Sequence, residues 1–335
     1  MTNKIQNYLK ISKSIKYFCL ITAFITIIVM SYFIFANQNN KIRQDISASD
    51  KIENEEAAQV QINSPDLIGR SLEHGPYFIK AEEMQEYSSY LSFIKPVINL
   101  MLNHIDWLNV TSNTAKLSRN DNHLELFNDV RANFNKYYYF IGEQAEILKN
   151  ESLIKSNSYS KIYTDEYNLE SDNGFIINYQ DQTGFFVGKI NANLQRENNS
   201  SVTNIKSNSL DVYWHKKTGD FIGNVILTKD GTIVKADKMT AIIKKNSNEL
   251  EKVRAYGNVR ISDKENIATG EYGEYIVATE ILTLKENVKL YKSNSEFTGE
   301  LLHYNFKNKK ADLVGLSGKN NGRTRAIIIP TKKHE

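Results

Sequence analysis

The sequence Phe221-Ile-Gly-Asn-Val-Ile-Leu227 recurs twice downstream, as Ala255-Tyr-Gly-Asn-Val-Arg-Ile261 and as Leu284-Lys-Glu-Asn-Val-Lys-Leu290. The central valines of the three copies are 34 and 29 residues apart. A second element follows in the same register, because a small residue and an acid stand eleven positions after each valine: Ala236-Asp237, Gly270-Glu271 and Gly299-Glu300. Three matches in one register indicate an internal repeat.

The repeated units alternate apolar and polar residues with a period of two, which is typical of strands with one buried face. In the second copy, Ala255, Gly257, Val259 and Ile261 fall on the apolar face. No convincing helical periodicity interrupts the units, and turn signals such as Lys229-Asp230-Gly231 separate them. We therefore predict about two short antiparallel strands for each unit, stacked side by side.

The repeat leaves two possibilities for its apolar face. The face either packs on itself as a closed core or lines an open trough that accepts an acyl chain. The first and last strands of such a stack would be unpaired and would favour edge-to-edge association. We predict that residues 63–200 are also β-rich, with a less regular insertion around Gln85–His104.

The segment Tyr17–Ala36 is a run of twenty residues without a charge. As a helix it would be about 30 Å long, which is the thickness of the hydrocarbon core of a bilayer. Four lysines precede it without any acid, so the positive-inside bias predicts a cytoplasmic tail at 1–16, a retained transmembrane helix at 17–36 and a polar linker at 37–62. A cleaved signal peptide is the alternative, but the run is long for one and lacks a small-x-small cleavage site.

The composition argues against several classes of protein. One cysteine and four prolines exclude a disulfide scaffold and a cysteine-rich zinc domain. The net charge of +3 falls to about −1 without the four N-terminal lysines, so we expect no nucleic-acid partner. No histidine pair has metal-ligand spacing, and no nucleophile elbow or phosphate loop is present. We expect no metal, no cofactor and no enzymatic activity.

The stretch Ser64–Ala81, SPDLIGRSLEHGPYFIKA, resembles the opening signature of the LptC family. These are the single-span inner-membrane components of the lipopolysaccharide export machine. Their Pro-x-Leu-x-Gly element is followed by a second glycine and an aromatic-x-aliphatic-x-Ala strand. The matching residues are Pro65, Leu67, Gly69, Gly75, Tyr77, Ile79 and Ala81.

The repeat from about Val212 to Val314 resembles the OstA-like, LptA-type domain of the periplasmic lipopolysaccharide carrier. Both resemblances imply one fold, an open, twisted, antiparallel β-jellyroll whose interior holds lipid A acyl chains. They also imply an LptC-like β-domain at 63–200, an LptA/OstA-like β-domain at 201–322 and a C-terminal tail at 323–335. An LptC protein is usually about half this length, so the chain resembles a fusion of the two types.

The implied function is passive transfer of lipopolysaccharide. The chain would receive it from the inner-membrane ABC transporter subunits and pass it to an LptA-type periplasmic carrier or to the outer-membrane translocon. Tyr275 and Tyr304 are either lining or cross-strand packing residues. The residues we predict to line the lipid-binding inner face are Phe221, Val225, Leu227, Val259, Ile261, Leu284, Val288 and Leu290.

Two other functions remain open from the sequence. An anchored β-repeat scaffold would join envelope proteins through its strand edges and would bind no lipid. A membrane-tethered enzyme would need a catalytic site that the sequence does not reveal. The segment Ala326–Pro330 is either a last edge strand or a docking segment.

Overall fold

A computed structural model describes residues 58–71, 75–102, 106–119, 123–195, 202–245, 247, 249–263, 266–292, 295–308, 310–315 and 325–328. Residues from Ala58 onward belong to one compact unit. The predicted cytoplasmic tail and transmembrane span, at 1–36, lie outside the described residues. Within the described residues, no helix has both the length and the apolar character needed to cross a membrane.

The described residues form 24 strands and one short 3-10 turn at Trp214–Lys216, without an α-helix. All pairings between neighbouring strands are antiparallel, so the predicted all-β, antiparallel fold is confirmed and is consistent with a β-jellyroll. The strands are β1 (Val60–Asn63), β2 (Asp66–Ser71), β3 (Gly75–Lys80), β4 (Glu83–Glu86), β5 (Tyr90–Ile94), β6 (Val97–Leu102), β7 (Asp106–Thr111), β8 (Thr114–Ser118), β9 (His123–Phe134), β10 (Tyr138–Leu148), β11 (Leu153–Ser156), β12 (Ser160–Tyr163), β13 (Tyr167–Ser171), β14 (Phe175–Asn178), β15 (Thr183–Gln195), β16 (Val202–Tyr213), β17 (Thr218–Lys229), β18 (Thr232–Ile243), β19 (Leu250–Ser262), β20 (Asn266–Ile276), β21 (Ile281–Lys292), β22 (Ser295–Asn305), β23 (Lys310–Val314) and β24 (Arg325–Ile328).

The strands form two facing layers, A and B. The long strands are β9, β10 and β15 to β22, and each has one half in layer A and the other half in layer B. Layer A contains β1, β4, β5, β8, β11, β14, β23 and one half of every long strand. Layer B contains β2, β3, β6, β7, β12, β13, β24 and the other halves. The pairing of β15 with β16 continues across the predicted boundary at 200/201, so both predicted β-domains share one hydrogen-bonded ladder.

Each repeated Gly-Asn or Glu-Asn dipeptide forms a β-bulge at the bend between the two layers. In β19, Gly257 and Asn258 both have positive φ values, +71° and +48°. The strand gains one residue relative to β20 at this point, since the register passes from Tyr256↔Tyr272 to Val259↔Gly270. Equivalent pairs with positive φ are Gly223-Asn224 in β17 and Glu286-Asn287 in β21. A bulge bends its strand, and glycine and asparagine tolerate the left-handed conformation best.

The two sequence motifs of the repeat face each other at this bend. The valine of each bulged strand pairs with the small residue of the next strand: Val225↔Ala236, Val259↔Gly270 and Val288↔Gly299. Asp237, the acid of the first motif, accepts a hydrogen bond from Asn258 Nδ2 at 2.8 Å. The two motifs thus lie at the corner between the layers, where this hydrogen bond connects the bulge of β19 to the preceding strand, β18.

Two hydrophobic clusters fill the space between the layers. One gathers residues from Ile79 to Ile147, and the other gathers residues from Phe175 to Tyr304. Phe140 and Ile154 pack against both clusters. Burial of each large aliphatic side chain contributes about 1.5–3 kcal/mol, so the interior dominates the stability of the unit.

Several sequence expectations need correction. The strands of the repeat are long, at 11–13 residues, because a bulge carries each of them past the bend. The expectation of a less regular insertion around Gln85–His104 is wrong. Apart from short connections, its described residues belong to β4, β5 and β6, and Phe93, Ile98 and Leu100 are buried in the N-terminal cluster. β1 begins at Val60, inside the stretch expected as a linker, and β24 makes the segment after Arg325 an edge strand beside β22.

We predict that Gly257→Ala destabilises the unit more than Gly231→Ala. Both glycines have positive φ values, at which an alanine costs about 1–2 kcal/mol. A Cβ at Gly257 would also collide with the Asp237 carboxylate, whereas one at Gly231 meets nothing within 4 Å. Urea unfolding of the full chain measures both changes. Equal losses of unfolding free energy would contradict the role given to the bend.

Candidate functional site

The eight residues predicted to line a lipid-binding face all lie between the two layers. Phe221 and Leu284 belong to layer A, and the other six belong to layer B. Six of the eight are buried, and Leu227 and Leu290 are half-buried against the same cluster. The structure therefore places them on one shared apolar interior, while lipid contact at these residues stays a prediction.

This interior is filled by side chains. The larger void, about 40 Å³, lies between Leu227 and Val234 of layer B and Val253, Tyr275 and Leu282 of layer A. A smaller void, about 10 Å³, has Ile261, Leu290 and Leu302 among its lining. A void of about 10–15 Å³ holds one water molecule, so the larger void would hold about three waters and the smaller at most one, which is far less than an acyl chain requires. A chain would enter only if the layers moved apart.

Tyrosines of layer A tie the two layers together at the rim of the interior. Lys229 Nζ, at the end of β17 in layer B, donates a hydrogen bond to Tyr275 Oη at 3.3 Å. Tyr304 Oη donates to Asp263 Oδ2, in the turn after β19, at 2.8 Å. Phe306 meets both tyrosine rings edge-on. The tyrosines of the repeat are therefore packing residues that also carry a polar contact across the layers.

A third contact of this kind occurs in the N-terminal cluster. The ammonium group of Lys149, which follows β10, lies 4.7 Å from the centre of the Tyr77 ring in β3. Lys149 is 6% exposed, and this burial lowers its pKa. A cation over an aromatic face is favourable where water is excluded. The aromatic residue of the sequence signature thus bridges the layers as Tyr275 and Tyr304 do.

Five of the seven signature residues lie in the β2–β3 pair at one end of the ladder, and Pro65 and Ala81 flank it. Leu67 pairs with Ile79, and Gly69 pairs with Tyr77. A Cβ at Gly69 would collide with the Tyr77 ring, so glycine is needed there for the ring to lie across β2. Gly75 has a φ of +87° at the start of β3. Pro65 and Ile79 are buried, and Ala81 packs against the N-terminal cluster.

Sequence reasoning missed Lys229, Asp263 and Lys149, the polar partners of the three tyrosines. Each stands at or beside a turn, where a charged residue ordinarily faces water. The regular position of Tyr275 and Tyr304, five residues after the small residue and its acid, was the available signal. In the part of the chain that the structure describes, no three His, Cys, Asp or Glu side chains are grouped to hold a metal ion.

Known proteins provide a comparison for the repeat. Residues 204–310 match the family model of the LptA/(LptD N-terminal domain) LPS transport protein. The prediction of an OstA-like domain is confirmed for these residues, and the LptC-like interpretation of the preceding part stays a prediction. The chain is also similar to LptH, the LptA-homologous periplasmic component of the lipopolysaccharide transport device from Pseudomonas aeruginosa. The identity is 19%, the TM-score is 0.34, and the match covers 38% of this chain and 95% of LptH. No curated protein sequence matches the chain.

We expect Tyr304→Phe to lower the free energy of unfolding by about 1.5–3 kcal/mol, since it removes a hydrogen bond to a charged acceptor. We expect a loss near the lower end of this range, because Asn266 still donates a hydrogen bond to Asp263 in the variant. Tyr256→Phe is the control, because its ring lies on the outer side of β19 and the change should stay within about 0.5 kcal/mol. Chemical denaturation of both variants checks this, and equal values would refute the rim contact.

Ion pairs on the outer side of layer A predict a pH dependence. The hydrogen bond from Arg254 Nε, at 2.8 Å, holds the pKa of Glu274 below its usual 4.5. The stabilisation from Glu274 is therefore complete above pH 4.5 and is lost as the pH falls through the lowered pKa. Glu274→Gln should cost about 0.2–1 kcal/mol at neutral pH and nothing at a pH well below that pKa. Unfolding across pH tests this, with the exposed Glu251→Gln as a control whose profile should follow that of the unchanged protein.

Proposed function

We propose that this chain transfers lipopolysaccharide and holds its acyl chains between layers A and B. The observation that carries the proposal is the interior itself. The apolar sides of the two layers meet there and are connected at the rim by hydrogen bonds of Tyr275 and Tyr304. Loss of these contacts would open an apolar trough along the ladder. The family-model match at 204–310 supports the same function.

The energetics favour a shielded route for such a lipid. Each CH₂ group removed from water gains about 0.8 kcal/mol, so several acyl chains cannot cross an aqueous space uncovered. The trough would replace the closed contacts of Val225, Val259 and Val288 with contacts to acyl chains. Separation of the layers then exchanges one apolar contact for another, and no covalent bond is made or broken.

In this proposal the segment 17–36 anchors the chain in the inner membrane, and the β-strands lie in the periplasm. The LptC-like strands at 63–200 receive lipopolysaccharide from the inner-membrane ABC transporter subunits. The strands at 201–322 pass it to an LptA-type carrier or to the outer-membrane translocon. The continuous pairing of β15 with β16 supports a single route through both parts.

The second candidate is an anchored scaffold without a lipid ligand. Two observations favour it, namely the filled interior and the sheet edges. In the described part of the chain, β1 and β2 at one end and β23 and β24 at the other each pair on one side. Such edges present unpaired backbone groups to partner proteins. A scaffold of this kind needs no separation of the layers.

Site-specific photo-crosslinking in intact cells distinguishes the two candidates. A photoreactive phenylalanine analogue replaces Leu227, which lines the larger void, and a matched variant carries it at Thr228, the next residue, on the outer side of β17. We expect light-dependent lipopolysaccharide adducts at Leu227 and none at Thr228. A folded Leu227 variant without adducts would refute lipid transfer and favour the scaffold.

A further inference from the structure

The outer side of layer B carries a row of basic residues in one transverse register. Successive strand pairings bring together Lys206, Ile226, Lys235, Arg260, Thr269 and Lys289. The inner neighbours of these residues, such as Val234 and Ile261, are buried, so the basic side chains point away from the interior. These six residues include no acid, and the same register continues from Lys206 through Asn191 to Glu170, which is ion-paired with Lys161. With strands about 4.8 Å apart, its five steps extend over about 24 Å.

These cations contribute little to the fold. In the portion of the chain described by the structure, Lys206, Lys235 and Arg260 have no carboxylate within ion-pair distance, and Lys289 has one exposed pair with Glu296 at 3.4 Å. Lys235 and Arg260 stand directly opposite each other in neighbouring strands. Like charges in that position repel and destabilise a sheet. The nearest acid along β18, Asp237, is bound to Asn258 at the bend.

The outer side of layer A has a different arrangement of charge. There Lys238 Nζ lies 2.7 Å from Asp220, and Arg254 Nε lies 2.8 Å from Glu274. Lys252 is 3.9 Å from the same glutamate. Lys238, Lys252 and Arg254 of layer A are thus ion-paired within the sheet, as are Lys161 with Glu170 and Lys80 with Asp66 in layer B. Among the described residues, Lys206, Lys235 and Arg260 of the row have no such pair.

Apolar side chains accompany the basic row on the same outer side. Ile233 is 37% exposed and lies two residues from Lys235 on β18. Ile267 and Tyr291 are half-buried and pair across β20 and β21. Basic residues beside exposed apolar ones are typical of surfaces that lie in a membrane interface.

We infer that the outer side of layer B, centred on Lys235, Arg260 and Lys289, binds the surface of a bilayer that contains anionic phospholipids. The cations contact headgroup phosphates across the row, and the neighbouring apolar side chains enter the interfacial region. The surface lies on the opposite side of layer B from the apolar interior, so it orients the unit on a membrane without covering the interior. The inference does not depend on lipid transfer.

Vesicle flotation tests the inferred membrane-binding surface. The full chain is held in nanodiscs of phosphatidylcholine, and its binding to separate vesicles is measured. The vesicles contain phosphatidylcholine alone or with about 30 mol% phosphatidylglycerol, in about 50 mM or about 500 mM salt. We expect binding to the anionic vesicles at low salt, weaker binding at high salt and none to neutral vesicles. Because each basic residue near an anionic surface contributes about fivefold, the combined variant Lys235→Gln, Arg260→Gln, Lys289→Gln should bind about 100-fold more weakly.

The matched control removes the same charge elsewhere, with Lys245→Gln, Lys307→Gln and Lys310→Gln on exposed positions outside the row. We expect the control to keep binding within about threefold of the unchanged chain, since it leaves the row intact. Thermal melting of both variants verifies that they fold. Equal weakening by both triple variants, or equal binding to neutral and anionic vesicles, would overturn the inference.

Discussion

The bulge at the bend between layers A and B is the constraint on which the rest of the structure depends. In β17, β19 and β21 two consecutive residues adopt left-handed backbone conformations, and one residue is inserted relative to the neighbouring strands. The insertion lets a strand of 12–13 residues leave one layer and enter the other without losing its ladder. Without it, a continuous pleat of this length would remain a single sheet with one apolar side exposed to water.

The bend also sets which residues meet in the interior. In a bulged strand the inward residues at the corner are four apart, as with Phe221 and Val225, whereas in the facing strand they are three apart, as with Ala236 and Met239. The corner therefore shifts the alternation and still buries both halves of each strand. This geometry gives a densely packed interior whose layers are connected at the rim by single polar contacts. Such a construction stabilises the closed state mainly through its interior, and the polar contacts at the rim add to it.

Sequence patterns predicted the class of the fold because they report local geometry. Alternation around Val259 reports a strand with one buried side, and the Gly-Asn dipeptide reports a place where a left-handed backbone is tolerated. The inner position of all eight predicted lining residues follows from the same alternation. The short strands at Gln85–His104 were missed because each has two or three inward residues, which is too few to separate a period of two from chance.

The sequence by itself determined the all-β class, the repeat and the inward-facing residues, since these depend on neighbours a few positions apart. Only the tertiary structure decided the pairing of Tyr304 with Asp263, the cation of Lys149 over Tyr77 and the alignment of Lys235 with Arg260. These contacts join residues that are tens of positions apart or that lie on different strands. Which residues face each other depends on the bulges and on the number of residues in every turn between them. A local sequence pattern does not contain that information.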